Sequence, residues 1–214
     1  AMEPRPPMPT LDLELQLHQE GKSLVVGIDE VGRGPLAGPV MAGAVILAPD
    51  VSPDESWLRY IKDSKKLTAL QREQASKVVQ KKALHTSLGL AGPNEIDVLG
   101  IAKATRLAML RAIKALPLRP QHLIIDFVTL EESNLPFTAV LGGDDKCYSI
   151  AAASIVAKVA RDHLMVEANT LYPGYGFHIH KGYGTAQHLK SLQLLGPSPI
   201  HRFSFAPVRR ARQP

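Results

Sequence analysis

The 214-residue sequence predicts an α/β fold: a mixed central sheet flanked by helices, with a small helical segment at the C-terminal end. Three observations carry that prediction. SLVVGIDE (residues 23–30) and PVMAGAVIL (39–47) read as neighbouring strands across a Gly- and Pro-rich turn, and LHTSLGLAG (84–92) reads as a third. Beyond residue 93, helical periodicity and short apolar runs alternate, which suits a sheet covered by helices. The chain is also long enough for one sizeable core, with 45% hydrophobic and 21% charged residues.

In chain order, LDLELQLHQE (11–20) is expected as a short helix before the first strand. SKKLTALQREQASKVVQKKA (64–83) has helical spacing, with Leu67, Leu70, Ala75 and Val78 toward one side. NEIDVLGIAKATRLAMLRAIKAL (94–116) predicts one long helix, apolar at Ile96, Leu99, Ala102, Leu107, Leu110 and Ile113, and Pro117 stops it. HLIIDF (122–127) is a short buried strand ending at Asp126, and TAVLGG (138–143) a strand edge with Asp144 just beyond it. SIAAASIVAKVARDHLMVEA (149–168) predicts a second strong helix whose alanines permit close packing on the sheet. YPGYGF (172–177) reads as irregular, and a short helix near TAQHLKSLQLL (185–195) closes the fold. The expected division is a disordered or helical lead-in over 1–20, a catalytic domain over 21–185, and a helical segment with a basic tail over 186–214.

The net charge of +5 hints at an anionic partner, but the last 14 residues hold Arg202, Arg209, Arg210 and Arg212 and no acid. On this reading the basicity belongs mostly to a solvated tail that adds salt-sensitive affinity. Cys147 is the single cysteine, so no internal disulfide forms and a reducing compartment suits the chain. No apolar run reaches membrane-spanning length, and AMEPRPPMPT lacks a signal-peptide layout, so a cytoplasmic protein without membrane contact is expected.

Acids recur where strands end: Asp29 with Glu30, Asp126, and Asp144 with Asp145. Carboxylates converging at strand ends repel one another unless a hard cation neutralises them, and Mg²⁺ favours such oxygen ligands. Two such ions about 4 Å apart activate a water and stabilise the leaving oxygen in phosphodiester cleavage. Turn-forming aspartates at strand ends are a common alternative for any one of these acids. Neighbouring strand residues face opposite ways, so Asp29 and Glu30 act together only where the strand ends or bulges, as Gly32 permits. His178-x-His180 lacks a third ligand for a zinc-like site, and VGRGPLAG lacks the lysine of a P-loop.

The segments GIDEVGRGPLAGPV, DSKKLT, NEIDVLGIAKATRLAMLRA, GGDDKCYSIAAASIVAKVARD, YPGYGFHIHKGYGTAQH and GPSPIHRFSFAPV, in this order, resemble the bacterial ribonuclease HII family from about residue 24 to 208. The resemblance implies an RNase H-like fold and metal-dependent endonuclease action on RNA in RNA–DNA hybrids and on ribonucleotides embedded in duplex DNA. It also implies a monomer and a role in ribonucleotide excision repair. It places four carboxylates that bind two Mg²⁺ or Mn²⁺ ions on Asp29, Glu30, Asp126 and Asp144, with Asp29 bridging both ions. It makes the loop Gly32, Arg33, Gly34 and the aromatic Tyr183 the readers of the ribonucleotide–deoxynucleotide junction. Phe127 stands where the family usually has glycine, and Asp145 where a small residue is usual.

These parts make physical sense. Glycines let backbone approach a nucleic-acid strand closely, and loop amides can satisfy the 2′-OH that tells RNA from DNA. Arg33 can contact a phosphate, and Tyr183 can stack on the following sugar. Lys65, Lys66, His180 and Lys181 are further candidates for phosphate contacts, against the alternative of a solvated charged face. Two rivals remain at the level of sequence: a hybrid-binding protein without catalysis, and a DNA-directed nuclease of the same fold. The second would need no 2′-OH reader.

Overall fold

The computed structural model describes residues 8–211. The Pro-rich start and Arg212 therefore lie outside the described residues. Five strands form one mixed sheet: β1 (Val25–Val31), β2 (Val40–Ile46), β3 (His85–Ala91), β4 (His122–Asp126) and β5 (Phe137–Val140). Their order is β3-β2-β1-β4-β5, with β1–β2 and β2–β3 antiparallel and β1–β4 and β4–β5 parallel.

The expected helices form as α1 (Asp12–Gln19), α2 (Ala69–Lys82) and α5 (Tyr148–Leu171), with α7 (Ala186–Leu195) and α8 (Ala206–Ala211) at the C-terminal end. The long helix expected over 94–116 is instead two, α3 (Pro93–Leu99) and α4 (Ile101–Ala115). Gly100 takes φ +79° and its N–H donates to the Ile96 carbonyl, so the first helix is closed there and the second starts afresh. The irregular stretch around YPGYGF leads into a single helical turn, α6 (Phe177–His180).

Side-chain alternation on β1 and β2 divides the core into two layers. Val26, Ile28, Val40, Ala42, Ala44 and Ile46 pack against Ala104, Ala108, Met109 and Ala112 of α4. Val45 and Leu47 pack against Ala151–Ala153 of α5 and against α2. The small residues of α5 allow contact so close that a Cβ at Gly27 or Gly43 would overlap the backbone of Ser149 or Ala153. The inward face of α2 is Ala75, Ser76 and Val79, with Leu67 and Val78 half-buried, whereas Leu70 is exposed. On α3 and α4, Leu99 and Ala102 are likewise exposed, because the break at Gly100 resets the helical phase. No helix among the described residues is long and apolar enough to cross a membrane.

The C-terminal residues 198–208 are not a solvated tail. His201 and Arg202 are fully buried, and Val208 packs with Leu36 and Leu192. Asp97 of α3 accepts the N–H groups of Phe203 and Ser204, which fastens this segment to the main body.

Candidate metal centre and nucleic-acid interface

The strand alternation decides which acids meet. Val25, Gly27 and Asp29 of β1 face α5, as do Ile124 and Asp126 of β4, while Glu30 belongs to the alternate set. Ile28 pairs with Ile125, so Asp29 and Asp126 lie side by side, one residue beyond that pair. Asp144 joins them from the short 3₁₀ turn Gly143–Asp145 that leads into α5. One carboxylate oxygen from each of Asp29, Asp126 and Asp144 lies within 4.8 Å of the others. Glu30 is outside this close group but lines the same cavity, with Gly32, Arg33, Gly34, Ser64, Lys65, Asp126, Ser154, Lys158 and Tyr183.

Two of the three grouped acids are held in place by backbone and the third stands beside a lysine. Asp29 Oδ1 accepts the Glu30 N–H at 2.8 Å, and Asp126 Oδ1 accepts the Gly143 N–H at 2.9 Å. Asp144 Oδ2 lies 3.7 Å from the Lys65 ammonium. The carboxylate that meets the first-turn amides of α5 is Glu14, which accepts from Ser149 N–H and Oγ–H, so the positive helix end serves Glu14 rather than Asp144.

The group is electrostatically strained. Burial, then the charges of Glu30, Asp126 and Asp144, holds the Asp29 carboxyl well above the usual carboxylate range. Burial and the nearby Asp63 push Asp144 up to about 6, with Lys65 opposing. A divalent cation fits this donor set: every donor is a carboxylate oxygen, and Glu30 Oε2 is buried with no hydrogen-bond partner among the described residues.

Beside the acids stand the two reader segments. Gly32 has φ +87°, and a Cβ there would overlap the Arg161 side chain. A Cβ on Gly34 would come within 3.8 Å of the Tyr183 ring, so the loop and the ring adjoin. Two buried arginines fix the loop and the segments beside it through backbone carbonyls. Arg161 donates to Ala37, Pro39 and Lys181 at 3.0, 2.9 and 2.8 Å. Arg202 donates to Gly32, Arg33 and Gly38 at 2.6, 2.9 and 2.9 Å. Neither arginine has a carboxylate partner among the described residues. With the Gly32 and Arg33 carbonyls turned to the Arg202 guanidinium, the amides of Arg33 and Gly34 have no partner among the described residues, and both residues border the cavity.

Of the remaining sequence candidates, Lys65 lines the cavity with its side chain largely free in solvent. Lys66 is paired with Asp145. His180 is buried with both ring nitrogens bonded, to the Tyr175 carbonyl and the Gly182 N–H, so it is not a phosphate contact. Lys181 lies away from the acid cavity, beside Arg72 and Asp162. Phe127 takes φ +56° with its side chain 70% exposed, and Asp126 still reaches the acid group. Sequence reasoning missed Asp63, Ser154, Lys158 and the two arginine clamps. The signal for Arg161 was a lone arginine inside the apolar helix; for Arg202 it was an arginine next to aromatic Phe203 and Phe205, where a solvated tail has little use for them.

Comparison with known proteins identifies the family and the fold. A family model described as ribonuclease HII matches residues 26–208. Ribonuclease HII of Chloroflexus aurantiacus is 48% identical over 204 residues, covering 95% of this chain and 96% of the relative. That of Nitrosococcus oceani is 51% identical over 186 residues, covering 87% and 90%. The crystal structure of ribonuclease H2 from Pyrococcus horikoshii OT3 superposes with a TM-score of 0.72 at 26% identity, covering 87% of this chain and 96% of that one.

Proposed function

The chain belongs to the ribonuclease HII family, endonucleolytic hydrolases acting on RNA–DNA hybrids, and from that premise we propose that it incises 5′ of ribonucleotides embedded in duplex DNA. Cleavage of the RNA strand of longer hybrids is the same reaction, and both leave 3′-hydroxyl and 5′-phosphate ends. The observation that carries this reading is the adjacency of two devices. Asp29 and Asp126 of the strained three-aspartate group line one cavity with the loop Gly32–Gly34, whose Arg33 and Gly34 amides have no partner among the described residues.

Asp29, Asp126, Asp144 and Glu30 would hold the divalent ions, Mg²⁺ or Mn²⁺. When bound, the ions supply an activated water and neutralise charge at the leaving oxygen. The chain's own residues do the rest. The Arg33 and Gly34 amides hydrogen-bond the 2′-OH, which a deoxynucleotide lacks. Arg33 and Lys65 hold flanking phosphates, and the exposed Tyr183 ring packs on the sugar of the following deoxynucleotide. Lys158 and Arg161 lie 5.9 and 6.0 Å from the ring centre and help hold that ring.

The test is a duplex with one embedded ribonucleotide beside an all-DNA duplex of the same sequence, with end-group analysis of the products. A single cut 5′ of the ribonucleotide with 3′-hydroxyl and 5′-phosphate ends is expected. Equal cutting of the all-DNA duplex would refute the reader assignment. Tight binding without cutting in either ion would support the non-catalytic alternative.

A further inference from the structure

Adjacent residues in the C-terminal segment reach both reader segments. Arg202 holds the carbonyls of Gly32 and Arg33 directly. His201 reaches the other reader through one intermediary. His188 Nδ1 bonds the Tyr183 carbonyl at 2.8 Å and must carry the proton, since a carbonyl only accepts. Its Nε2 is then an acceptor, so His201 Nε2 donates to it at 3.0 Å. His201 Nδ1 in turn accepts the Ser198 N–H at 2.8 Å, which is consistent with the same tautomer. The chain of bonds Ser198–His201–His188–Tyr183 is complete and neutral, and His188 and His201 are fully buried.

The same region braces the reader segments against each other. The Leu36 N–H donates to the Gly182 carbonyl, and the Leu36 carbonyl accepts the Arg202 N–H. The Gly38 N–H donates to the Ile200 carbonyl. His180 stacks on His188 with ring centres 4.2 Å apart, and accepts the Gly182 N–H. None of these bonds touches Asp29, Asp126 or Asp144, which hang from β1, β4 and the turn before α5.

We infer that His201 and Arg202 are positioning residues that set the distance between the loop Gly32–Gly34 and Tyr183, and so determine substrate discrimination. The inference rests on the reading of those two segments as junction readers. It assigns the C-terminal segment to specificity and leaves ion binding to the sheet edge.

The histidine chemistry supplies matched variants. Glutamine places an amide N–H near the position of Nε2, so His201→Gln keeps the donor to His188. Asparagine mimics Nδ1, so His201→Asn keeps the Ser198 contact and loses that donor. Arg202→Lys keeps a charge but cannot span three carbonyls. Each variant is compared with the native protein and with Tyr183→Ala on two substrates, a ribonucleotide followed by deoxynucleotides and one followed by ribonucleotides. Mn²⁺ affinity is measured in parallel by titration calorimetry.

His201→Asn and Arg202→Lys should lower the preference for the ribonucleotide–deoxynucleotide junction by about tenfold, mainly through KM, at native Mn²⁺ affinity. His201→Gln should retain most of the preference. Equal fractional losses on both substrates, or equal behaviour of the Asn and Gln variants, would overturn the inference. If Tyr183→Ala keeps the full junction preference, the reading of Tyr183 fails and the inference fails with it. If Tyr183→Ala loses the preference and His201→Asn does not, the inference alone fails.

Discussion

Asp144→Asn should stabilise the ion-free protein at neutral pH while removing its activity. The native carboxyl is raised from an ordinary 3.8 to about 6, chiefly by burial and by Asp63. At about 1.36 kcal/mol per pH unit, that rise costs the folded state about 3 kcal/mol when the group is ionised. Lys65 stands 3.7 Å away with its side chain largely in solvent, so its charge and screening leave about 1–2 kcal/mol. The sign follows from linkage. A carboxyl raised in the folded state favours folding below its unfolded value, and that advantage is lost as pH rises through about 6. Asparagine has no charge to repel, so the variant should melt about 2–8 °C above the native chain near pH 7.5 in chelator. The gap should close as pH falls toward about 4, where the native carboxyl is protonated as well. Thermal unfolding followed by circular dichroism across that range measures both. A variant less stable than native in chelator at neutral pH, or a gain independent of pH, would refute the argument that burial and neighbouring acids make the ionised Asp144 costly.

Other outcomes follow from named positions. Phe127→Gly should raise stability by about 0.5–1 kcal/mol, since the left-handed backbone costs a non-glycine residue about 1–2 kcal/mol and glycine gives back about 0.5–1 in unfolded-chain freedom. Urea unfolding checks it, and a destabilised glycine variant would contradict it. Gly32→Ala should cost about 1–3 kcal/mol and at least tenfold in kcat/KM, because φ +87° is strained for alanine and its Cβ would displace Arg161. Native kinetics in that variant would contradict the clamp. Burial pushes the Cys147 thiol up to about 12, so a thiol reagent should label it only as the protein unfolds. Rapid labelling of the folded protein would argue against the packing around α5.

Much of this was legible in the sequence, and the reasons differ by element. The strands announced themselves because β-branched runs such as HLIID and VMAGAVI have few other uses, and β4 ends at Asp126 as expected. The acids could be found because ionisable residues at the ends of buried strands are costly without a purpose. What periodicity could not give was the break at Gly100: a glycine inside a helical pattern is usually tolerated, and only its φ of +79° closes α3. Grouping Asp29 with Asp126 and Asp144 but not Glu30 needed the register of β1 against β4, which single-strand patterns do not encode. Arg202 was miscounted for a similar reason. Its partners, Gly32, Arg33 and Gly38, lie more than 160 residues away, and composition sees only another basic residue near the end. His180 was missed for a different reason: its partners Tyr175 and Gly182 are near in sequence, but only the folded turn buries the ring between them and so removes the phosphate contact expected of a histidine in a polar loop.

The most direct test of the account is the initial rate of hybrid cleavage by the native chain and by Asp29→Asn, each with Mg²⁺ and with chelator. Asp29 is the most buried of the three grouped acids and the one the others press upon. The account predicts cutting by the native chain only with the ion, and a rate lower by about a thousandfold or more in the variant. Native-like cutting by Asp29→Asn, or cutting that persists in chelator, would contradict it.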